Sequence, residues 1–142
     1  MSAHGDGEAD LRTRLEEALG TPLSESELVL GSWGRADLAG HVVDQAVVAV
    51  EVERSQRHPN TNVLKYWPWM DEDRRRRVFL VQVFDRASAN DSSRQRLATW
   101  VGARMERELG GRFAHVTVRR GSVDEEDQLR QAASRFEAWR PL

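Results

Sequence analysis

The segment Ala46-Val-Val-Ala-Val-Glu-Val-Glu53 constrains the fold of this chain more than any other. Its first five residues are all apolar, a pattern that suits an inner strand covered on both faces. Polarity enters only at the C-terminal end, as Glu51 and Glu53. Successive side chains of a strand point to opposite faces, so the two glutamates point to the same side. A strand buried on both sides needs a layer above it and a layer below it.

The flanking sequence supplies candidates for those layers. Leu11, Leu15 and Leu19 recur at helical spacing between Ala9 and Gly20 and predict an amphipathic helix that stops at the glycine. Residues 1–8 carry neither a basic start nor an apolar stretch, so they read as a flexible tail rather than a signal peptide. Thr21-Pro22 predicts a further helical turn with proline at its first position. Leu28-Val29-Leu30, followed by Gly31, Trp33 and Gly34, suggests a strand with tight turns. Arg35 to Val43 reads as extended, with a turn at Asp44-Gln45.

Beyond the central strand, Arg54 to His58 is a polar loop, and Pro59-Asn60 opens a helix with Val63, Leu64 and Trp67 on its apolar face. Pro68 ends or kinks that helix. Val78 to Phe84 is a second strand of the buried type. Asn90-Asp91-Ser92 is a cap for a long helix that places Leu97, Val101 and Met105 on one face and stops at Gly110-Gly111. Phe113 to Arg119 reads as a shorter strand nearer an edge, and Ser122-x-x-Glu125 as a capping box before a last helix with Leu129, Ala133 and Phe136 inward. Strands alternating with helices predict an α/β domain over residues 9–142.

Composition removes whole classes of chemistry. The absence of cysteine excludes disulfides, thiolate-bound zinc, iron–sulfur clusters and thiol nucleophiles. The longest apolar run, Ala46 to Val50, is too short to span a membrane, and the cytoplasm is the expected location. A net charge of -2 gives no global cationic field, so any nucleic-acid contact needs a local basic patch. Of the 21 basic residues counted as lysine or arginine, Lys65 is the only lysine.

Asp37, Glu51 and Glu53 are the candidates for chemistry. Ionised carboxylates at the end of a buried strand are costly unless paired or bound to a metal. Two of them converging from neighbouring strands make an all-oxygen site of the kind that hard divalent cations prefer. Arg35-Ala-Asp37-Leu, then Val48-Ala-Val-Glu51-Val-Glu53, then a helix, resembles the PD-(D/E)xK nuclease superfamily. The likeness spans roughly residues 9–120 and includes the order of elements.

That resemblance implies a restriction-endonuclease-like three-layer fold, with a mixed central sheet flanked by helices. It implies metal-dependent hydrolysis of DNA, with RNA as the second choice, and Mg²⁺ or Mn²⁺ as cofactor. Asp37 and Glu51 match the metal-binding acids, and the Val52 carbonyl completes the coordination. Glu53 stands where the family usually has lysine and would orient the water or a second ion. Ala36 stands where the family has proline. Lys65, in the following helix, matches the relocated lysine of some members and would assist the water or the scissile phosphate. Glu16 or Glu17 matches an accessory acid on the first helix.

Other residues have competing readings. Arg54 and Arg57 beside the site, and Arg94 and Arg96 at the start of the long helix, are candidates for phosphate contact. Arg74 to Arg77 follow Asp71-Glu72-Asp73, so that segment is nearly self-neutralising. His41 and His58 have no second histidine at metal-binding spacing and read as polar surface. Trp67 and Trp69 read as core or dimer contacts, with base stacking as the alternative. The small size and near-neutral charge predict a dimer or a subunit that receives substrate from a partner. The rival function is a nuclease-fold domain that does not cleave and instead binds nucleic acid or another protein.

Overall fold

The computed structural model describes residues 3–25, 28–54, 59–85 and 92–141, with side chains from residue 9 in the first segment and from residue 93 in the last. The chain runs α1 (Ala3–Leu19), β1 (Ser24–Glu25), β2 (Leu38–Val43), β3 (Ala46–Glu53), α2 (Pro59–Leu64), α3 (Tyr66–Asp71), β4 (Arg77–Phe84), α4 (Ser92–Leu109), β5 (Phe113–Arg119) and α5 (Glu125–Trp139). The strands form one mixed sheet in the order β1-β2-β3-β4-β5. β1, β2 and β3 pair antiparallel, and β3, β4 and β5 pair parallel.

β3 is the middle strand, as its apolar run predicts. Val48, Ala49 and Val50 are all fully buried. Val48 and Val50 join Leu11, Leu15, Phe136 and Trp139 in the core beneath α1 and α5. Ala49 faces the other way, into a core built from Val63, Tyr66, Met70, Ala98 and Met105 of α2, α3 and α4. The result is an α/β domain with helices on both faces of the sheet.

Several local elements differ from the sequence expectation. α1 begins at Ala3, so it takes in residues 3–8 of the segment read as a tail; residues 1–2 lie outside the described residues. Thr21-Pro22 forms no helical turn. That stretch lies against Gly40 of β2, where a Cβ would come 2.4 Å from the Pro22 carbonyl oxygen, so strand packing overrides the proline signal. Leu28 to Leu30 contributes only an isolated bridge, Val29 to Arg35, and Gly31–Trp33 is a 3-10 turn.

The helix after β3 is interrupted at Lys65, one turn before Pro68, which has no N–H to donate to Leu64 O; Pro68 itself lies in the first turn of α3. On α4 the buried stripe is Ala98, Val101, Met105 and Leu109, and Leu97 is exposed. Similarly Ala132, not Ala133, is buried on α5. Asn90 and Asp91 of the expected α4 cap lie outside the described residues. At α5 the capping box is displaced: the Ser122 hydroxyl accepts from Asp124 N–H at 3.3 Å, and Glu125 Oε1 accepts from Gly121 N–H at 3.4 Å.

β5 is an edge strand, as expected, and side chains close its outer rim. His115 N–H donates to Glu106 Oε1 at 2.6 Å, and Arg135 Nη1 donates to His115 O at 2.8 Å. Farther along, Arg119 N–H donates to Gln128 Oε1 at 2.6 Å. Backbone groups that would otherwise template strand addition are thus engaged by α4 and α5.

Gly102 carries a packing constraint of its own. A Cβ there would lie 1.9 Å from His115 Nδ1, so the imidazole of β5 occupies the space a side chain of α4 would need. In an unencumbered helix Gly→Ala gains about 1 kcal/mol. Here Gly102→Ala should reverse that sign and cost about 1–3 kcal/mol by overpacking, read as a lower urea midpoint. A concurrent His115→Ala should recover part of the loss; a stabilised Gly102→Ala single variant would refute this packing.

Candidate functional site

The sequence-predicted acids meet at the C-terminal end of β3. Glu51 and Glu53 are 2% and 1% exposed, and both face the α2–α3 side of the sheet. Glu51 is held at both oxygens: Oε1 accepts from Lys65 Nζ at 3.0 Å, and Oε2 accepts from the Tyr66 hydroxyl at 2.6 Å. Lys65 Nζ also donates to Arg35 O at 2.7 Å, which ties the segment before β2 to the helix break.

Asp37 brackets Glu51 from the neighbouring chain segment. Its backbone N–H donates to Val50 O at 3.1 Å, and its Oδ2 accepts from Val52 N–H at 2.7 Å. Asp37 is exposed, whereas Glu51 is not. Part of its job is structural, because its carboxylate supplies the acceptor for the Val52 N–H.

Burial dominates the electrostatics. It pushes the Glu51 carboxyl up to about 7; Lys65 and the Tyr66 hydroxyl oppose the rise, and the charge of Asp37 adds to it. The Tyr66 phenol is pushed well above its ordinary value, first by burial and then by Glu51. It therefore stays protonated and keeps donating to Glu51.

Glu53 stands in a different environment. Asn62 Nδ2 donates to both of its oxygens, at 2.8 and 3.0 Å, and Gln82 Nε2 donates to Oε1 at 3.1 Å. Burial raises its carboxyl, and these amides work against the rise. Gln82 Nε2 also donates to Pro59 O at 2.9 Å, so its Oε1 is left to accept from His115 Nε2 at 3.0 Å. Burial, aided by Arg135, lowers the His115 imidazole to about 4, so it is neutral and carries its proton on Nε2. Glu53 thus anchors the start of α2 through amides.

The remaining candidates are dispersed. Glu16 accepts from Leu23 N–H at 2.8 Å and Glu17 is exposed, both on α1 beneath the opposite face. Arg54 follows β3 directly, and Arg94 and Arg96 are exposed on α4. Arg57 and His58 lie outside the described residues. His41 is exposed and pairs its Nε2 with Asp44 O. Arg75 forks onto Asp73 and Arg76 onto Glu72, as the self-neutralising reading expects. Trp69 is buried with the Arg76 guanidinium over its ring, whereas Trp67 is half-buried. No described helix is long and apolar enough to cross a membrane.

An open groove of about 550 Å³ lies beside Lys65. Trp33, Leu64, Trp67 and Pro68 supply apolar walls, and Thr61, Lys65 and Asp71 the polar positions.

Tyr66, Asn62, Gln82 and His115 were not among the sequence candidates. Gln82 and His115 carried a usable signal, since each interrupts an otherwise apolar strand. Tyr66 carried a weaker one as the only tyrosine.

Oxygen lone pairs remain at this end of the sheet. Glu51 accepts one hydrogen bond at each oxygen, which leaves lone pairs in hand, and Asp37 has one oxygen committed to Val52. Among the described residues no group of three or more His, Asp or Glu side chains converges to hold a metal. The carboxylates at this end of β3 that keep unshared lone pairs are those of Asp37 and Glu51. Compared with known protein families, curated proteins and solved structures, the chain gives no significant match.

The raised carboxyl of Glu51 has a consequence for stability. Between 4.5, its ordinary value, and about 7, the folded chain retains a proton that the unfolded chain has released. Stability from this group therefore falls as pH rises through that window and levels off above it. Relative to Glu51→Gln, the parent protein should lose up to about 3 kcal/mol between pH 4.5 and 8, measured by urea unfolding at each pH. A constant gap between the two would return Glu51 to the ordinary carboxylate range.

Proposed function

We propose that this chain is a metal-dependent nuclease that hydrolyses phosphodiester bonds of DNA, with RNA as the second choice, on a restriction-endonuclease-like version of the α/β fold. The observation that carries the reading is the ion pair between the only lysine, Lys65, and Glu51, the buried acid that Asp37 brackets. An antiparallel β1-β2-β3 unit followed by a helical crossover to a parallel β4 also supports it.

Asp37, Glu51 and the Val52 carbonyl would hold Mg²⁺ or Mn²⁺. When bound, such an ion polarises a phosphoryl oxygen and lowers the pKa of a water. The protein's own contribution is orientation and charge. Tyr66 and Lys65 fix the Glu51 carboxylate from two sides. Lys65 also sets a compact ammonium at the mouth of the site, where it would meet the scissile phosphate. Only ionised Glu51 serves as a ligand, so Mn²⁺ affinity should weaken as pH falls below about 7.

A non-cleaving domain is the second reading. It is favoured by the completeness of the polar contacts: Lys65 already serves Glu51 and Arg35 O, and Glu53 is caged by Asn62 and Gln82. Such a cluster could serve only to bind the sheet to α2 and α3.

Cleavage of single-stranded, duplex and branched DNA with Mg²⁺ or Mn²⁺ separates the two. Glu51→Ala should abolish cleavage, and Mn²⁺ should raise the melting temperature of the parent protein but not of Glu51→Ala. Lys65→Arg should lose at least tenfold in rate, about 1.4 kcal/mol of transition-state stabilisation, with DNA affinity little changed. Undiminished cleavage by Glu51→Ala would remove the site assignment, and a parent protein inert on every substrate would leave the non-cleaving reading.

A further inference from the structure

Glu51 and Glu53 share one face of β3, yet their partners separate them. Glu51 meets Lys65 and Tyr66 at the junction of α2 and α3. Glu53 turns instead to Asn62 within α2, whose Nδ2 donates to both of its oxygens at 2.8 and 3.0 Å. Among the described residues no three His, Asp or Glu side chains converge to hold a metal, so Glu53 does not complete a ligand set with Asp37 and Glu51. A carboxylate only 1% exposed is thus directed at the side of a short helix.

That helix needs the support. α2 has six residues, well short of the roughly 12–15 at which an isolated helix becomes even marginally stable. Its frame therefore comes from tertiary contacts, and two of them belong to this polar layer. Gln82, fully buried on β4, donates Nε2 to Pro59 O at the start of α2 at 2.9 Å. Glu53 holds Asn62 one turn later, and the same Gln82 amide donates to Glu53 Oε1 at 3.1 Å, which links the two anchors.

Lys65 takes its place from this frame. Its backbone N–H donates to Thr61 O at 3.1 Å, and it stands three residues after Asn62, a neighbour on the helix surface. From there Nζ spans Arg35 O at 2.7 Å and Glu51 Oε1 at 3.0 Å, with the side chain 14% exposed. N–H···O bonds keep their strength over a range of only about half an ångström, so a small displacement of α2 would break that span.

We infer that Glu53 is a positioning residue for Lys65: by gripping Asn62 it fixes α2, and α2 sets the ammonium between Glu51 and Arg35 O. The inference rests on the nuclease reading only for what Lys65 does once placed. Its placement is measured without metal or DNA.

Lys65 carries the only side-chain amine in the sequence, so its acylation by succinic anhydride, followed by peptide mass mapping of the full chain at pH 8, reports on it alone. Asn62→Asp sets a second carboxylate against Glu53, and Asn62→Ala removes the donors. Both should speed acylation of Lys65 by at least about fivefold, the factor that one ordinary hydrogen bond carries. Adding Glu53→Gln to Asn62→Asp restores an amide–carboxylate pair with its polarity reversed, since the new amide can donate to position 62 while its oxygen still accepts from Gln82. The double variant should return to the parent rate. Phe136→Leu, in the core on the opposite face of the sheet, should lower the melting temperature and leave the acylation rate unchanged. Asn62→Asp acylated at the parent rate overturns the inference. So does a double variant as fast as Asn62→Asp, or an acceleration that Phe136→Leu reproduces, which would assign the effect to general loosening. A parent protein inert on DNA that keeps the predicted order of rates sustains the positioning role and removes the nuclease reading. Metal-dependent cleavage abolished by Glu51→Ala, with Lys65 acylation indifferent to Asn62, does the reverse.

Discussion

A carboxylate that is 2% exposed at the end of the central strand sets the terms for half of this molecule. Glu51 cannot be solvated by water there, so the protein must supply the donors, and it does so from one short stretch of chain, Lys65 and Tyr66. The arrangement is not an efficient way to gain stability. Buried ion pairs seldom repay the desolvation of their charges, and an apolar replacement of equal volume is often at least as stable. Its cost is visible in the carboxyl pushed up to about 7 despite a cation and a phenol at hand.

The two faces of the sheet divide the work. Beneath α1 and α5 the strands present Val48, Val50, Phe79, Val81, Val83 and Val118, and that core is apolar throughout. The rings of Phe79, Phe136 and Trp139 close it, with centroids 5.2 to 5.9 Å apart. On the other face the apolar layer gives way, toward the carboxyl ends of β3 and β4, to Glu51, Glu53 and Gln82, with His115 of β5 joining through Gln82. Open α/β sheets place their ligands beyond the carboxyl ends of parallel strands. Both faces carry an apolar core, and the second also carries these polar groups at the carboxyl ends of its strands.

Much of this was legible from residue patterns. β3 and β5 have the bounds expected from their apolar runs, and the Asp44-Gln45 turn lies where expected, with Asp44 at φ 48. These elements are long, or punctuated by residues with a specific backbone role. Thr21-Pro22 was misleading because proline at a helix start and proline in an extended segment look alike in sequence. Only the glycine at position 40, far along the chain, decides between them. Within the site, Lys65 was conspicuous as the lone lysine, and Asp37 and Glu51 by their strand context. Tyr66 and Asn62 were not, because their aim depends on where a helix breaks. The role of Glu53 was hidden for a similar reason: its amide partners come from α2 and β4, and no local pattern announces that pairing.

The break between α2 and α3 has a geometric consequence. In a continuous α-helix neighbouring residues diverge around the axis, so residues i and i+1 do not face a common point. Lys65 and Tyr66 are neighbours, and yet both reach the same carboxylate, one to each oxygen. α2 ends at Leu64 and α3 starts at Tyr66, so two consecutive side chains at the junction of the helices act as the two jaws of a single grip.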